Sequence, residues 1–313
     1  MQNNKKVSII GMGNVGASIA YALMLRNLAS EIALIDINQN VVNSEMLDIK
    51  HGIHGISDTK IVCGDYSDIK DSDLIIITAG RNRRPNESRL DLTQDNLKIA
   101  EEIAKNIEKN YSQGIVLIIS NPVDVVTYYM TKRLNLPKGK VFGSGCILDS
   151  SRFVSVLSDY LKVAPELVDA TVIGEHGELQ VPFWSDVKVN NTPLEQYCKE
   201  NNVILGEQEK AKIEQKVLKM GMEIILGKGK TCYGIATCVS HLADAILNNK
   251  LTKASVATCF EGNYGLENVA LSLPCLIDRD GAKLIEATKL DVVEFDKLKN
   301  AAFLIGNNIK NFI

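Results

Sequence analysis

The chain has 313 residues, room for one large α/β unit or two modest lobes with real cores. Its 35 Lys and Arg against 38 Asp and Glu leave a net charge of −3, which excludes the basic excess of a nucleic-acid-binding surface. Apolar residues make up 45%, yet no apolar run approaches the roughly 20 residues of a membrane helix, so no membrane partner is expected.

The chain opens Met-Gln-Asn-Asn-Lys-Lys and runs straight into a strand, so no signal peptide is expected. Its seven cysteines form no Cys-x-x-Cys pair and read as free buried thiols of a reducing cytosol, with no metal site. The first strand, Lys5 to Ile10, feeds Gly11-Met12-Gly13-Asn14-Val15-Gly16, and an apolar helix runs on to about Leu28. Gly11 allows the tight turn, Gly13 the close approach of a pyrophosphate and Gly16 the packing of helix on strand. The helix N-terminus offers its unpaired N–H groups to the phosphates.

A second strand, Glu31 to Ile35, ends in Asp36, twenty residues after Gly16. A carboxylate there accepts hydrogen bonds from an adenosine ribose. The same charge repels a 2′-phosphate, and no Arg follows at Ile37 or Asn38, so the cofactor reads as NAD and not NADP.

The alternation continues with a helix (Gln39 to Lys50), strands at Lys60 to Cys63 and Asp73 to Thr78, a helix (Thr93 to Asn110) and a strand (Ile115 to Ile119). Strands this rich in Ile and Val are buried on both faces, as in a parallel sheet. His51 and His54 have no carboxylate or Cys cluster beside them and read as surface or cap residues. Residues 80–91, Gly- and Pro-punctuated and basic, read either as a solvated loop or as a lid that brings positive charge over an anionic substrate. After Ser120, Asn121 either projects into the crevice at the strand ends or caps the next helix, and Pro122 suits that helix's first turn.

A sixth strand, Lys140 to Phe142, leads through Gly143-Ser144-Gly145 into a helix where Asp149 and Arg152 share a face. Strands follow around Ala170 to Ile173 and Val187 to Val189. A long helix, Glu207 to Leu226, carries Ile213, Val217, Met220 and Ile224 at helical spacing. Thr231 opens a further helix, strands lie near Ala254 to Glu261 and Val269 to Leu276, and a terminal helix runs through Phe295 and Ile309. These stripes read as core or subunit contacts, with Cys232 and Cys238 as buried small hydrophobes. His176 stands out in Ile173-Gly174-Glu175-His176-Gly177, one of four histidines, bracketed by glycines at a strand end. Alone it reads as structural or catalytic. Residues 1–145 are thus expected to form a Rossmann-type doubly wound parallel sheet, and residues 146–313 an α+β substrate domain.

The order of motifs resembles the lactate branch of the lactate/malate dehydrogenase family almost end to end. The match is carried by Gly11 to Gly16, Asp36, Gly64-Asp65-Tyr66-Ser67-Asp68, Thr78-Ala79-Gly80, Glu87-Ser88-Arg89-Leu90-Asp91-Leu92 and Ser120-Asn121-Pro122-Val123-Asp124. It continues through Gly143-Ser144-Gly145, Leu148-Asp149-Ser150-Ser151-Arg152-Phe153, Gly174-Glu175-His176-Gly177 and Thr231-Cys232-Tyr233-Gly234-Ile235-Ala236. The resemblance implies reversible hydride transfer between NADH and pyruvate in a cytoplasmic homo-oligomer, a tetramer before a dimer. It makes His176 the proton donor and acceptor, Asp149 its orienting carboxylate and Arg89 the lid residue that polarises the carbonyl. Arg152, Asn121, Arg83 and Thr231 become substrate-binding. Gly11, Gly13, Asn14, Val15, Gly16, Asp36, Tyr66, Thr78, Ala79, Gly80, Arg81, Ser120, Asn121 and Ser144 become cofactor-binding.

Some positions depart from the lactate pattern. Arg83 stands where lactate enzymes commonly have Gln and malate enzymes Arg, so oxaloacetate is the alternative substrate. Gly-Glu-His-Gly, Thr231 and Glu-Ser-Arg-Leu-Asp-Leu point to lactate. Val154 and Asp169 stand where enzymes activated by fructose 1,6-bisphosphate commonly carry Arg and His, and neither binds a phosphate. Val41 replaces a common Lys near the adenosine end. A non-catalytic NAD sensor would have no use for His176, Asp149, Arg152 and Arg89 together. An NAD-dependent glycosidase would need a metal cluster that the sequence lacks.

Overall fold

The computed structural model describes residues 4–81, 89–285 and 290–310, with Arg89 described by its backbone alone. β1 (Lys6–Ile10) feeds α1 (Asn14–Leu25). The alternation continues through β2 (Glu31–Ile35), α2 (Gln39–His51), β3 (Lys60–Cys63), β4 (Leu74–Ile77), α3 (Arg89–Asn110), β5 (Ile115–Ile118), α4 (Val123–Leu134) and β6 (Val141–Gly143). β4 and β5 are buried along their whole length, as parallel strands covered by helices on both faces must be. The six strands pair in parallel in the order β3-β2-β1-β4-β5-β6. The order reverses between β1 and β4, and a crevice opens at the carboxyl ends of the strands there.

The second part adds α5 (Ile147–Leu161), β7 (Val168–Asp169), β8 (Val172–Gly174), β9 (Gln180–Pro182), β10 (Lys188–Val189) and β11 (Thr192–Pro193). It continues with α6 (Leu194–Glu200), α7 (Glu207–Lys228), α8 (Tyr233–Leu247), β12 (Thr252–Glu261), β13 (Glu267–Asp278), β14 (Gly281–Leu284) and α9 (Val292–Lys310). β12 joins β6 through Ala257 and Gly143, so the sheet runs on antiparallel through β13, β8 and β9, with β14 on β13. Among the described residues this makes one eleven-stranded sheet beside a three-stranded one, β11-β10-β7.

The helical stripe on α8 belongs to the core: Val239, Leu242 and Ile246 pack with Ile19 and Leu23 of α1 and with Val7 and Ile9 of β1. Each such side chain taken fully from water contributes about 1.5–3 kcal/mol. That burial ties a second-half helix to the first-half sheet. The stripe on α7 is buried only at Ile213 and Val217, while Ile224 is exposed. Cys232 and Cys238 are buried as expected.

Several element ends differ from those expected. α1 stops at Leu25 because Asn27 adopts a left-handed conformation (φ 49°). Leu28 and Ala29 then fold back into the core, which prolongs the apolar pattern past the helix end. α3 begins at Arg89, four residues before Thr93. α8 begins at Tyr233 and not Thr231, and α4 begins at Val123, with Pro122 in the cap position. α6, β7, β9, β11 and β14 have no counterpart among the expected elements: strands of two to four residues are too short to show a period of two.

Candidate active site

The glycine turn after β1 is shaped by contact. Gly11 has a φ of +102°, and a Cβ there would lie 2.4 Å from the Ala79 nitrogen. A Cβ on Gly16 would lie 2.0 Å from the Gly11 oxygen. Around Gly13 there is open space. The turn is therefore packed on its inner side and open on the side from which a pyrophosphate would approach the N-terminus of α1. Thr78 holds the turn from below, its hydroxyl donating to the Gly11 carbonyl at 2.6 Å, and the Ser120 hydroxyl donates to the Ala79 carbonyl at 2.6 Å. Asp36 accepts from the backbone N–H of Met12 (2.7 Å) and of Asn38 (2.9 Å), so the end of β2 is tied to the glycine turn. Half-buried Tyr66 stands close enough to Asp36 that burial first, and then this charge, raise its phenol pKa. These groups suit a dinucleotide with free ribose hydroxyls. The amide oxygen of Asn14, inside the turn, accepts from Lys230 at 2.6 Å.

On the other side of the crevice, Asp149 sits in the first turn of α5, where a helix N-terminus favours a carboxylate. Arg152 follows one turn later and donates from Nη1 to Asp149 Oδ1 at 2.9 Å. The other carboxylate oxygen lies 2.6 Å from Nδ1 of His176, across 27 residues of sequence. Burial opposes ionisation of Asp149, but His176 and Arg152 outweigh it and hold its pKa below the usual carboxylate value. An ionised carboxylate can only accept, so Nδ1 of His176 carries the hydrogen and Nε2 is the atom left for chemistry. Burial likewise disfavours the imidazolium, and Asp149 outweighs it, so the pKa of His176 is raised. The histidine side chain is 27% exposed while Asp149 is 2% exposed: the acid is sealed and the base is open.

The turn that presents His176 follows β8. Gly174 takes a positive φ (88°), and Glu175 stitches the turn by accepting from the Leu179 N–H at 2.9 Å. The backbone N–H of His176 donates to Asp124 Oδ2 at 2.8 Å. Asp124, on the first turn of α4, is fully buried, and its Oδ1 has no hydrogen-bond partner among the described residues. Burial, against the bond from His176, pushes its pKa up to about 7. Sequence reasoning misses Asp124 as a site residue, because in sequence it resembles any acid in a first helical turn. It misses Asn96 as well. The Asn96 side chain accepts from Arg81 N (2.9 Å) and donates to the carbonyls of Arg81 (3.2 Å) and Asn121 (2.7 Å), tying the two strand ends together.

His176, Arg152, Asn121, Thr231, Ser144 and Val15 line one cavity of about 260 Å³ together with Leu148, Gly221, Ile225 and Ile235. Asn121 does not cap α4 through its side chain. Arg81 is held by Asp95 at 2.9 and 3.0 Å. Arg83 lies outside the described residues, as does the side chain of Arg89. Val154 and Asp169 line a separate cavity of about 510 Å³. Lys253 lies there too, already paired with Asp186 (2.9 Å) and Asp169 (3.6 Å). His51 and His54 are exposed. Among the described residues no group of three or more His, Cys, Asp or Glu could hold a metal ion, and no helix is long and apolar enough to cross a membrane.

A doubly wound dinucleotide sheet whose crevice meets a carboxylate-backed histidine and an arginine defines the class of nicotinamide-dependent 2-hydroxy acid dehydrogenases. Family models narrow this. The model described as lactate/malate dehydrogenase, NAD binding domain, matches residues 5–143, and that for the alpha/beta C-terminal domain matches residues 146–312. The chain belongs to the lactate/malate dehydrogenase family. It is 38% identical to an L-lactate dehydrogenase of Clostridium perfringens, over 99% of this chain and 98% of that one. It is also 38% identical to an L-lactate dehydrogenase of Acetivibrio thermocellus, over 100% and 98%. Among solved structures, the minor L-lactate dehydrogenase of Enterococcus mundtii superposes with a TM-score of 0.95 at 32% identity, covering 99% of each chain.

Proposed function

We propose that this chain is an NAD-dependent L-lactate dehydrogenase (EC 1.1.1.27) that interconverts pyruvate and lactate. The observation that carries the reading is the His176–Asp149–Arg152 cluster, whose histidine and arginine line one cavity with Asn121 and Thr231 while Asp149 is buried behind them. The family and the names of the relatives support it. Gly11, Gly13, Asn14, Val15 and Gly16 would hold the cofactor phosphates and Asp36 a ribose, with Tyr66, Thr78, Ala79, Gly80, Arg81, Ser120 and Ser144 completing the bed. When bound, NADH supplies the hydride. The planar guanidinium of Arg152 grips the substrate carboxylate with two parallel hydrogen bonds. His176 gives its Nε2 proton to the carbonyl oxygen during reduction and takes it back during oxidation. Asp149 keeps the ring in the right tautomer and stabilises the imidazolium. Asn121 and Arg89 stabilise the negative charge that develops on the oxygen. A cytoplasmic homotetramer is the form we assign.

The oxaloacetate alternative rests on Arg83 alone. The deciding assay compares kcat/KM for pyruvate and oxaloacetate with NADH; pyruvate is expected to win, and a strong preference for oxaloacetate would overturn the reading. Arg83→Gln is expected to change kcat/KM for pyruvate by no more than about fivefold, as for a charge that turns to solvent. Loss of most pyruvate turnover in that variant would place Arg83 on the substrate.

No activation by fructose 1,6-bisphosphate is expected at the cavity of Val154 and Asp169. A phosphate there would meet the apolar Val154 and the Asp169 carboxylate. Of the basic groups lining the cavity among the described residues, Lys253 is already paired, and burial and then Arg26 hold the His241 pKa below its ordinary value. Initial rates at subsaturating pyruvate, with and without the bisphosphate, check this. Activation abolished by a substitution at Lys253 would refute it.

A further inference from the structure

Gly221 lies well inside α7, where glycine is the least favourable residue after proline. Gly227 and Gly229, near the end of the same helix, have open space where a side chain would be. Gly221 does not. A Cβ on it would lie 3.2 Å from Nη2, 3.5 Å from Nη1 and 3.6 Å from Cζ of Arg152. The guanidinium therefore rests directly on the bare backbone of α7. It has little freedom to retreat, because Nη1 is tethered at 2.9 Å to the buried Asp149, whose other oxygen holds His176 at 2.6 Å. Arg152 is itself only 13% exposed. Gly221, Arg152 and His176 all line the same cavity.

We infer that Gly221 is a positioning residue for carboxylate recognition: its missing side chain lets the Arg152 guanidinium lie against α7 while still bonded to Asp149. This rests on the 2-oxo acid reading above. Even a methyl group at this position shifts the guanidinium by a few tenths of an ångström toward the cavity or off Asp149. A shift of about 1 Å at such a site can cost roughly a hundredfold, so a smaller one costs about tenfold.

The test uses Gly221→Ala, with Gly227→Ala as a control on the same helix. Oxamate, a carboxylate mimic of pyruvate, is titrated into the chain–NADH complex and followed by NADH fluorescence. In Gly221→Ala the oxamate Kd is expected to rise about tenfold, and the pyruvate KM to rise by more than kcat falls. The NADH Kd should stay unchanged. Tm should hold or rise by roughly 2 °C, because alanine favours the helix. Gly227→Ala should gain stability alone. Equal oxamate affinity in Gly221→Ala and the unsubstituted chain overturns the role of Gly221. So does a general loss in which NADH binding and Tm fall together. If the unsubstituted complex binds no oxamate, the functional reading fails and the role of Gly221 with it.

Discussion

Replacing His176 by Asn is expected to lower kcat/KM for pyruvate by about 10²–10⁴-fold while NADH binding and folding persist. The substitution is chosen for its shape. The amide nitrogen of Asn occupies nearly the place of Nδ1, so it can still donate to Asp149 Oδ2 and spare the protein an unpaired buried carboxylate. The backbone N–H that bonds Asp124 is untouched. What disappears is Nε2, the only atom of this residue left for proton transfer once Asp149 has claimed Nδ1. The turn after β1 and the end of β2, which would hold the cofactor phosphates and a ribose, make no hydrogen bond to this side chain, whose bond among the described residues is to Asp149. Steady-state rates, NADH fluorescence titration and a thermal melt together check the result. If more than about a tenth of the pyruvate kcat/KM remained in a well-folded variant, His176 would not be the proton donor.

The parts of the molecule that are legible in the sequence are those fixed by short-range geometry. Gly11, Gly16 and Asp36 declare themselves because the turn, the helix contact and the end of β2 lie within one βαβ unit. Asp149 and Arg152 share a face because a helix brings residues three apart together, and their 2.9 Å bond follows. The pairing of Asp149 with His176 has no such local signature; only the family resemblance reaches it. Asp124 and Asn96 escape for a related reason. Each acts on a backbone group from a distant segment, and nothing in their own neighbourhood marks them. Gly221 looks like a flaw in a helical stripe, and its meaning appears only when Arg152 is seen lying on it. The short strands β7, β9 and β11 owe their form to partners, not to their own pattern.

Asp149→Asn is expected to cost about 10²–10³-fold in kcat/KM for pyruvate at pH 7 and to move the pH profile in a definite direction. Reduction needs the imidazolium. In the unsubstituted chain His176 titrates above its ordinary 6.5, because Asp149 outweighs the burial that would lower it. The rate of reduction should therefore be flat at low pH and fall only as pH rises through that raised value. Lactate oxidation, which needs the neutral ring, should rise over the same range. The amide that replaces the carboxylate can still accept from Nδ1–H but brings no charge. Burial and the nearby Arg152 then prevail, and the break in the reduction profile should shift to lower pH. Asp124, which titrates near 7 and whose charge also favours the imidazolium, stays in place, so the break belongs to a coupled cluster and not to one ring. Some support for the cation therefore survives, and the shift should be smaller than complete loss of anionic neighbours would produce. A profile in Asp149→Asn that broke at the same pH, with the rate merely scaled down, would mean that Asp149 orients the ring without setting its charge. A shift toward higher pH would contradict the sign of the coupling altogether.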